Sequence, residues 1–251
     1  MKSIRIIPCL DICQGKVVKG VEFTKLRIMG DPIAMAEKYY HDGADELTFL
    51  DITATVESRS TIIDLVKEIS KRIFIPLTVG GGIKSCDEIK TLLRNGADKV
   101  SIGSSAVLNP QLISQSASIF GSQCIVVSLD AKKMGEAWQV YIHGGRINTH
   151  LDLLSFAQTM EKQGAGELLI NSIDQDGKKS GYDLALLQAL SSKVQIPIIA
   201  SGGAGSLEHL AQGVLAGKAD ALLLASLLHE KTMSIQEIKT YLNAQGVMAR
   251  C

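Results

Sequence analysis

The sequence predicts a single (β/α)8 barrel over residues 1–251, and three observations predict it. Eight short β-branched runs alternate with longer stretches of helical periodicity. The runs Ile6–Leu10, Ile125–Leu129 and Ile196–Ala200 are apolar nearly throughout instead of alternating, as suits parallel strands covered on both faces. The second half of the chain also repeats the first. Gly43-Ala-Asp-Glu-Leu recurs as Gly164-Ala-Gly-Glu-Leu, 121 residues on, and Ile75-Pro-Leu-Thr-Val-Gly-Gly-Gly82 recurs as Ile196-Pro-Ile-Ile-Ala-Ser-Gly-Gly203 at the same offset. Ala97-Asp-Lys-Val recurs as Ala219-Asp-Ala-Leu after 122 residues, and the run ending in Asp11 recurs as the run ending in Asp130 after 119. Four motifs in one order at nearly one spacing predict two duplicated half-barrels, roughly 1–120 and 121–251.

Strand starts are expected near Ile4, Glu46, Pro76, Lys99, Cys124, Glu167, Pro197 and Ala221. Helical periodicity covers Asp31–His41, Thr61–Lys71, Asp87–Asn95 and Leu151–Gln163, and Gly96, Gly164 and Gly217 follow helical patterns where a left-handed cap is wanted. Two connections are long for a compact barrel. Asp11–Gly30 follows the first strand, and Asp130–Thr149 follows the fifth and contains Trp138–His143, an alternating run that reads as a small hairpin. Both leave the carboxyl end of a strand, where barrel enzymes build their sites, so each is a candidate lid.

Composition narrows the functional classes. With 26 basic and 26 acidic residues the net charge is zero, which gives no bulk attraction to nucleic acid or to a membrane surface. Hydrophobic residues make up 46% but aromatics only 4%, so Ile, Leu, Val and Ala must fill the core. Five cysteines, an odd number lying in or beside apolar runs, read as reduced thiols of a cytoplasmic protein. Cys9 and Cys13 lack the further ligands that a metal site needs, and no metal or cofactor is expected. No segment is apolar and long enough to span a bilayer, and Arg5 interrupts the short apolar run at the start, unlike a signal peptide.

The chemistry is expected at the carboxyl mouth of the barrel. Asp11 and Asp130 each end an apolar strand run, where an unpaired carboxylate is costly without a function. Related by the repeat, they would face one another, and different surroundings would let one donate a proton while the other accepts one. Glycine-rich turns follow the third strand (Gly80-Gly-Gly82) and the seventh (Ser201-Gly-Gly203), where backbone N–H groups can approach an anion. Gly103 and Ser104 after the fourth strand, Asp176 and Gly177 after the sixth, and Ser226 after the eighth add small and hydroxyl groups. Two such pockets on opposite rims fit a long ligand with a phosphate at each end. At the opposite end of the barrel, Arg5, Glu46, Lys99 and Glu167 start the first, second, fourth and sixth strands. Their charges cancel, so they read either as a closed salt-bridged plug or as a gated axial passage. The histidines show no ligand spacing; His229 alone follows the last strand, near a phosphate pocket.

These motifs, with Gly15-Lys-Val-Val-Lys19, Gly121–Val127, Asp176–Asp183 and Ile199–His209, closely resemble the cyclase subunit of imidazole glycerol phosphate synthase over nearly the whole chain. The resemblance implies a (β/α)8 enzyme of histidine biosynthesis. Such an enzyme takes ammonia from a partner glutaminase subunit and a bisphosphorylated formimino aminoimidazole carboxamide ribonucleotide. It releases imidazole glycerol phosphate and aminoimidazole carboxamide ribotide. It further implies that Asp11 and Asp130 are the acid/base pair and that Lys19 closes over substrate. Gly82 and Ser104 would hold one phosphate, and Gly177, Gly203 and Ser226 the other. Arg5, Glu46, Lys99 and Glu167 match the ammonia gate, and Asp98 matches a residue near the glutaminase contact. The chain departs from the family at four positions: Gly103 replaces a usual Asn, Asn171 a usual Thr, Ile28 a usual loop Asp and His150 a usual Gly. Gly103 and Asn171 are both expected at the substrate mouth. Two alternatives stay open at this point: the sister phosphoribosyl isomerase, which needs no ammonia, and a low-activity barrel that binds a bisphosphate and a partner.

Overall fold

The computed structural model describes residues 3–21, 24–52, 56–230 and 232–250. In chain order, β1 (Arg5–Cys13) is followed by β2 (Lys16–Val21), β3 (Thr24–Gly30), α1 (Pro32–His41), β4 (Leu47–Asp51) and α2 (Val56–Ile69). Next come β5 (Leu77–Gly80), α3 (Cys86–Arg94), β6 (Lys99–Ile102), α4 (Ser104–Leu108) and α5 (Gln111–Phe120). The second half holds β7 (Ile125–Met134), β8 (Ala137–Ile142), β9 (Ile147–Asp152), α6 (Leu153–Lys162), β10 (Glu167–Ser172) and α7 (Leu184–Ser191). It ends with β11 (Ile198–Ser201), α8 (Leu207–Leu215), β12 (Ala221–Leu224), α9 (Ser226–His229) and α10 (Ile235–Ala244).

Eight of the strands form a closed parallel barrel in the order β1-β4-β5-β6-β7-β10-β11-β12, with β12 paired back onto β1. The eight expected strand starts fall within one residue of these. The sequence dictates two shells. Ile125, Val127 and Leu129 of β7 point outward into the layer beneath the helices. Val126 points inward, where it packs with Ile7, Cys9, Leu169, Ile199 and Leu223 in a separate cluster along the axis. Burying each such aliphatic side chain contributes roughly 1.5–3 kcal/mol, so β1, β7, β10, β11 and β12 hold the barrel closed from both faces.

Polar side chains set the ends of the elements. Asp31, Ser85, Asp152 and Ser206 accept from backbone N–H groups in the first turns of α1, α3, α6 and α8, and Ser234 and Glu237 form a reciprocal capping box on α10. At the amino end of the barrel, carboxylates hold the strand starts. Asp98 Oδ2 accepts from Leu77 N (2.8 Å), Asp220 Oδ2 from Ile198 N (2.9 Å) and Asp45 Oδ2 from Ile6 N (2.7 Å). The other oxygen of Asp45 accepts from the buried Lys239 Nζ of α10 (2.9 Å), tying the last helix to the first strand.

The two long connections are both extended ribbons. β7, β8 and β9 make an antiparallel meander, and the expected Trp138–His143 hairpin strand appears as β8. Between Asp11 and Gly30, where the sequence predicts only a loop, β1 runs on past Asp11 and turns back as β2 and β3. The turn is made by Gln14 and Gly15, both at positive φ (48° and 72°), the backbone of a tight two-residue hairpin. Among the described residues, no helix is long and apolar enough to cross a membrane.

Candidate active site

The carboxyl mouth of the barrel opens into a cavity of about 600 Å³. The carboxylates, the glycine rims and the lysine expected at the mouth all lie on its wall. Asp11, Lys19, Asp130, Asn171 and Asp176 are among its charged and amide groups, with Asp51, Lys84, Arg146 and Lys179 also on the wall. Gly82, Gly103 and Ser104 form one rim, and Gly177, Gly203 and Ser226 the other.

Asp11 is inward-facing on β1, two residues beyond the axial Cys9, whose Sγ donates to Asp11 Oδ1 (3.8 Å). Burial raises the Asp11 carboxyl above its ordinary value; the positive charge of Lys19 opposes the shift and the negative charge of Asp176 adds to it. Asp130 is inward-facing on β7 and stands level with Asn171 in the β7–β10 register. Asn171 Nδ2 donates to Asp130 Oδ1 (3.0 Å). Burial again raises the carboxyl, the Asn171 bond lowers it, Asp176 raises it, and a hydrogen bond from the Gly145 backbone lowers it. The two carboxylates thus share burial and Asp176 as a neighbour but differ in their other partners. Asp11 faces a cation and a weak thiol donor, whereas Asp130 accepts two N–H bonds. That asymmetry is what separate acid and base duties require.

The glycine rims are built by close backbone approach. Gly203, at φ +100°, packs so closely on the Gly181 carbonyl that a Cβ would lie 2.1 Å from that oxygen. Gly181 N donates to Gly203 O (2.8 Å), which locks the loop after β10 against the loop after β11. Gly103, in contrast, has an ordinary φ of −98°, and a Cβ there would meet only Ser128 O at 3.7 Å.

At the other end of the axis, Arg5, Glu46, Lys99 and Glu167 form a closed cycle of ion pairs. Arg5 Nη1 donates to Glu46 Oε1 (2.6 Å) and Glu167 Oε1 (3.0 Å); Lys99 Nζ donates to the same two oxygens at 2.9 and 2.8 Å. Asp98 sits beside Lys99 with its side chain exposed on this face. His229 is not at the mouth. It is buried, with Nδ1 2.7 Å from the Tyr39 hydroxyl and Nε2 2.9 Å from the Cys9 carbonyl, and burial pushes it down to about 4. Since a carbonyl only accepts, Nε2 carries the proton and Tyr39 donates to Nδ1. His229 therefore ties α9 and α1 to β1 as a neutral imidazole.

Within the expected lid segment Asp130–Thr149, sequence reasoning did not single out the turn between β8 and β9. Tyr141, His143, Gly144 and Arg146 line the cavity, and the turn folds over the mouth. His143 N donates to Ser104 Oγ (2.9 Å), so this hairpin is fastened to the rim after β6. Only the glycine pair Gly144-Gly145 hinted at a tight turn.

With this geometry in view, comparison with known proteins decides the family. The model of the histidine biosynthesis protein family matches residues 5–234. The imidazole glycerol phosphate synthase subunit HisF of Microcystis aeruginosa (strain NIES-843 / IAM M-2473) is 54% identical over the full length of both chains. The chain belongs to the HisF family. It is also 54% identical to the HisF subunit of Nostoc sp. (strain PCC 7120 / SAG 25.82 / UTEX 2576), covering 100% of this chain and 98% of that one. HisF proteins are cyclase subunits of imidazole glycerol phosphate synthase in histidine biosynthesis, and the (β/α)8 barrel is the fold found here.

Two of the four departures from the family pattern stand outside the mouth. Ile28 on β3 is 72% exposed and pairs with Val18 of β2, so an apolar side chain faces solvent where the family carries a carboxylate. His150 adopts φ 60°, the left-handed region in which the usual Gly has no penalty. Among the described residues, its exposed ring makes no side-chain hydrogen bond that would reward the strain; only its backbone N bonds Asn148 Oδ1 (2.8 Å). A left-handed L-residue costs roughly 1–2 kcal/mol, and Gly gives back roughly half of that as chain entropy. His150→Gly is therefore expected to stabilise the protein by about 0.5–1 kcal/mol, read as a rise in urea midpoint at unchanged slope.

Proposed function

We propose that this chain is the ammonia-using cyclase of the synthase, acting on a bisphosphorylated formimino aminoimidazole carboxamide ribonucleotide and yielding imidazole glycerol phosphate and aminoimidazole carboxamide ribotide. The observation that carries the reading is the asymmetric pair Asp11 and Asp130 in one cavity, with a glycine rim on either side. In this mechanism, ammonia arriving from the barrel axis attacks the ribulosyl carbonyl, and the carbonyl oxygen leaves as water to give an imine. Asp11 and Asp130 then move protons through ring closure and cleavage of the formimino C–N bond. Lys19 faces Asp11 from β2 and stabilises its ionised form. Gly82, Gly103 and Ser104 receive one phosphate; Gly177, Gly203 and Ser226 receive the other, with Asn171 and Asp176 between them. No cofactor enters the reaction.

The same reading assigns the ammonia supply to a glutaminase subunit docked on the amino face, near Asp98, with the Arg5–Glu46–Lys99–Glu167 ring as the gate. Residues 1–120 and 121–251 are then two related halves. Asp98 and Asp220 hold equivalent strand starts, and Ser85 and Ser206 cap equivalent helices, in support of that view. Lys99→Met removes one cation from the ring and leaves Glu46 and Glu167 sharing Arg5 alone. Breaking such a half-buried network is expected to cost about 1–3 kcal/mol and to lower the ratio of glutamine-driven to ammonium-driven turnover severalfold. Equal losses in both assays would remove the gate from the mechanism.

The primary test gives the purified chain the formimino substrate with excess ammonium at alkaline pH and identifies the products. Formation of imidazole glycerol phosphate is the expected result. Turnover of a substrate without ammonia would instead favour the isomerase, and tight binding without turnover a silent barrel.

A further inference from the structure

The β8–β9 turn, His143 to Arg146, carries more of the mouth than a decorated loop would. His143, Gly144 and Gly145 all have positive φ (56°, 68° and 77°), which reverses the chain within a few residues and aims it back over the barrel. Three contacts fix where it lands. His143 N donates to Ser104 Oγ (2.9 Å), Gly145 N–H donates to the Asp130 carboxylate, and a Cβ on Gly145 would press on Ile173 Cδ1 at 3.1 Å. The following residue, Arg146, is held by its own N bonding Ile142 O (3.1 Å), and its side chain lies on the cavity wall.

The cations around the cavity differ in their commitments. Lys179 pairs with Glu230 (2.7 Å), Lys19 faces Asp11, and Lys84 lies on the wall beside Gly82 and Ile83. Arg146 has no carboxylate partner among the described residues, although a guanidinium readily finds one. His143, three residues earlier in the same turn, anchors that turn at the Gly103–Ser104 rim, where side-chain donors for an anion are few. Gly103 brings no side chain, and Ser104, whose Oγ accepts from His143 N, offers a phosphate a single O–H donor. A guanidinium offers a planar fork of donors that matches phosphate oxygens.

We propose that Arg146 is a substrate-binding residue that holds the phosphate on the Gly103 side of the mouth and stands in for the side chain that Gly103 lacks. This rests on the cyclase reading above and adds to it the residue that sets affinity for one end of the substrate. The turn that positions Arg146 is the one that bonds Asp130, so phosphate capture and the carboxylate are held by a single rigid element.

The test compares wild type with Arg146→Met, which keeps the apolar stem and removes the charge. Because Arg146 is exposed, the variant is expected to melt with the wild type. In ammonium-driven turnover its KM for the bisphosphorylated substrate is expected to rise about ten- to a hundredfold, the worth of a charge-assisted hydrogen bond, with kcat within about threefold. Inorganic phosphate should inhibit the variant correspondingly less. Adding Gly103→Asn to Arg146→Met should recover part of the lost affinity, since the backbone at Gly103 has room for a side chain. Unchanged KM and unchanged phosphate inhibition in Arg146→Met would overturn the assignment, and failure of Asn at 103 to recover any affinity would remove the compensation. If wild type itself shows no turnover, the cyclase reading fails separately. Calorimetric binding of inorganic phosphate to wild type and to Arg146→Met then still decides on Arg146: a loss of affinity supports it, and equal affinity overturns it.

Discussion

Asp11→Asn is expected to lower turnover by roughly 10³-fold while leaving the KM for the formimino substrate near the wild-type value, because geometry survives and proton transfer does not. The substitution is a clean one. Among the described residues its side-chain hydrogen-bond partner is the Cys9 thiol, and an amide oxygen can accept that bond as the carboxylate does. Asp130→Asn is less clean: Asn171 Nδ2 and the Gly145 N–H both donate to Asp130, and an amide turned the wrong way sets donor against donor. Asp11→Asn should also be more stable than wild type at neutral pH, by on the order of 1 kcal/mol, as is usual when a strained active-site group is removed. The sign follows from the raised carboxyl. Burial holds the Asp11 proton in the folded chain to higher pH than in the unfolded chain. Its favourable contribution is fully present below the unfolded value and is lost as pH rises through the folded one. Asn does not titrate, so the gain of Asp11→Asn over wild type should be absent in acid, grow as pH climbs from the unfolded value of Asp11 and be complete above its folded value. Urea melts across that range measure it. A stability gain that is the same at acid and neutral pH, or turnover close to wild type, would remove Asp11 from the proton-transfer step.

Most of the barrel could be read from the sequence because its parallel strands leave a strong local signal. A run such as Ile125-Val-Val is buried on both faces, so it reads as an unbroken apolar stretch set between helical patterns. The mouth was equally legible at Asp11, Asp130 and the glycine rims, since the repeat marks each of them twice. The ribbon after β1 was not, because Gln14-Gly15 is a weaker hairpin signal than Asn-Gly and the strands beyond it interleave Lys16, Lys19, Lys25 and Arg27 with apolar residues. Contacts between distant segments were also hidden. Asn171 bonds Asp130 only because the β7–β10 register sets them side by side, and nothing in either motif states that register. Arg146 reaches the mouth through three successive residues at positive φ, and the first of them, His143, is not glycine, so the sequence gives no sign of the reversal there.

The glycines of the rims are expected to separate into steric and chemical classes, with Gly203→Ala the most damaging. Its φ of +100° is already costly for any side chain, and a Cβ would lie 2.1 Å from Gly181 O and 2.9 Å from Gln175 Cβ. The first of these neighbours is backbone, so no rotamer change relieves the clash. The two loops must part and give up the Gly181 N to Gly203 O bond. Strain and overpacking together put the cost at about 3 kcal/mol or more, with loss of the rim even where the barrel survives. Gly177 shares the positive φ, at +73°, but a Cβ added there would meet nothing within 4 Å among the described residues. Gly177→Ala should therefore cost only about 1 kcal/mol, the penalty of the left-handed backbone. Gly103→Ala, with its ordinary φ and open surroundings, should be close to neutral. Urea denaturation of the three variants, paired with inhibition by inorganic phosphate, tests the ordering. If Gly203→Ala were no worse than Gly177→Ala, the loop contact would be yielding and the rim not fixed by that close approach. If instead Gly203→Ala loses phosphate inhibition and stability together while Gly177→Ala keeps most of both, the rim works as a backbone cradle whose shape depends on one glycine with no room for a methyl group.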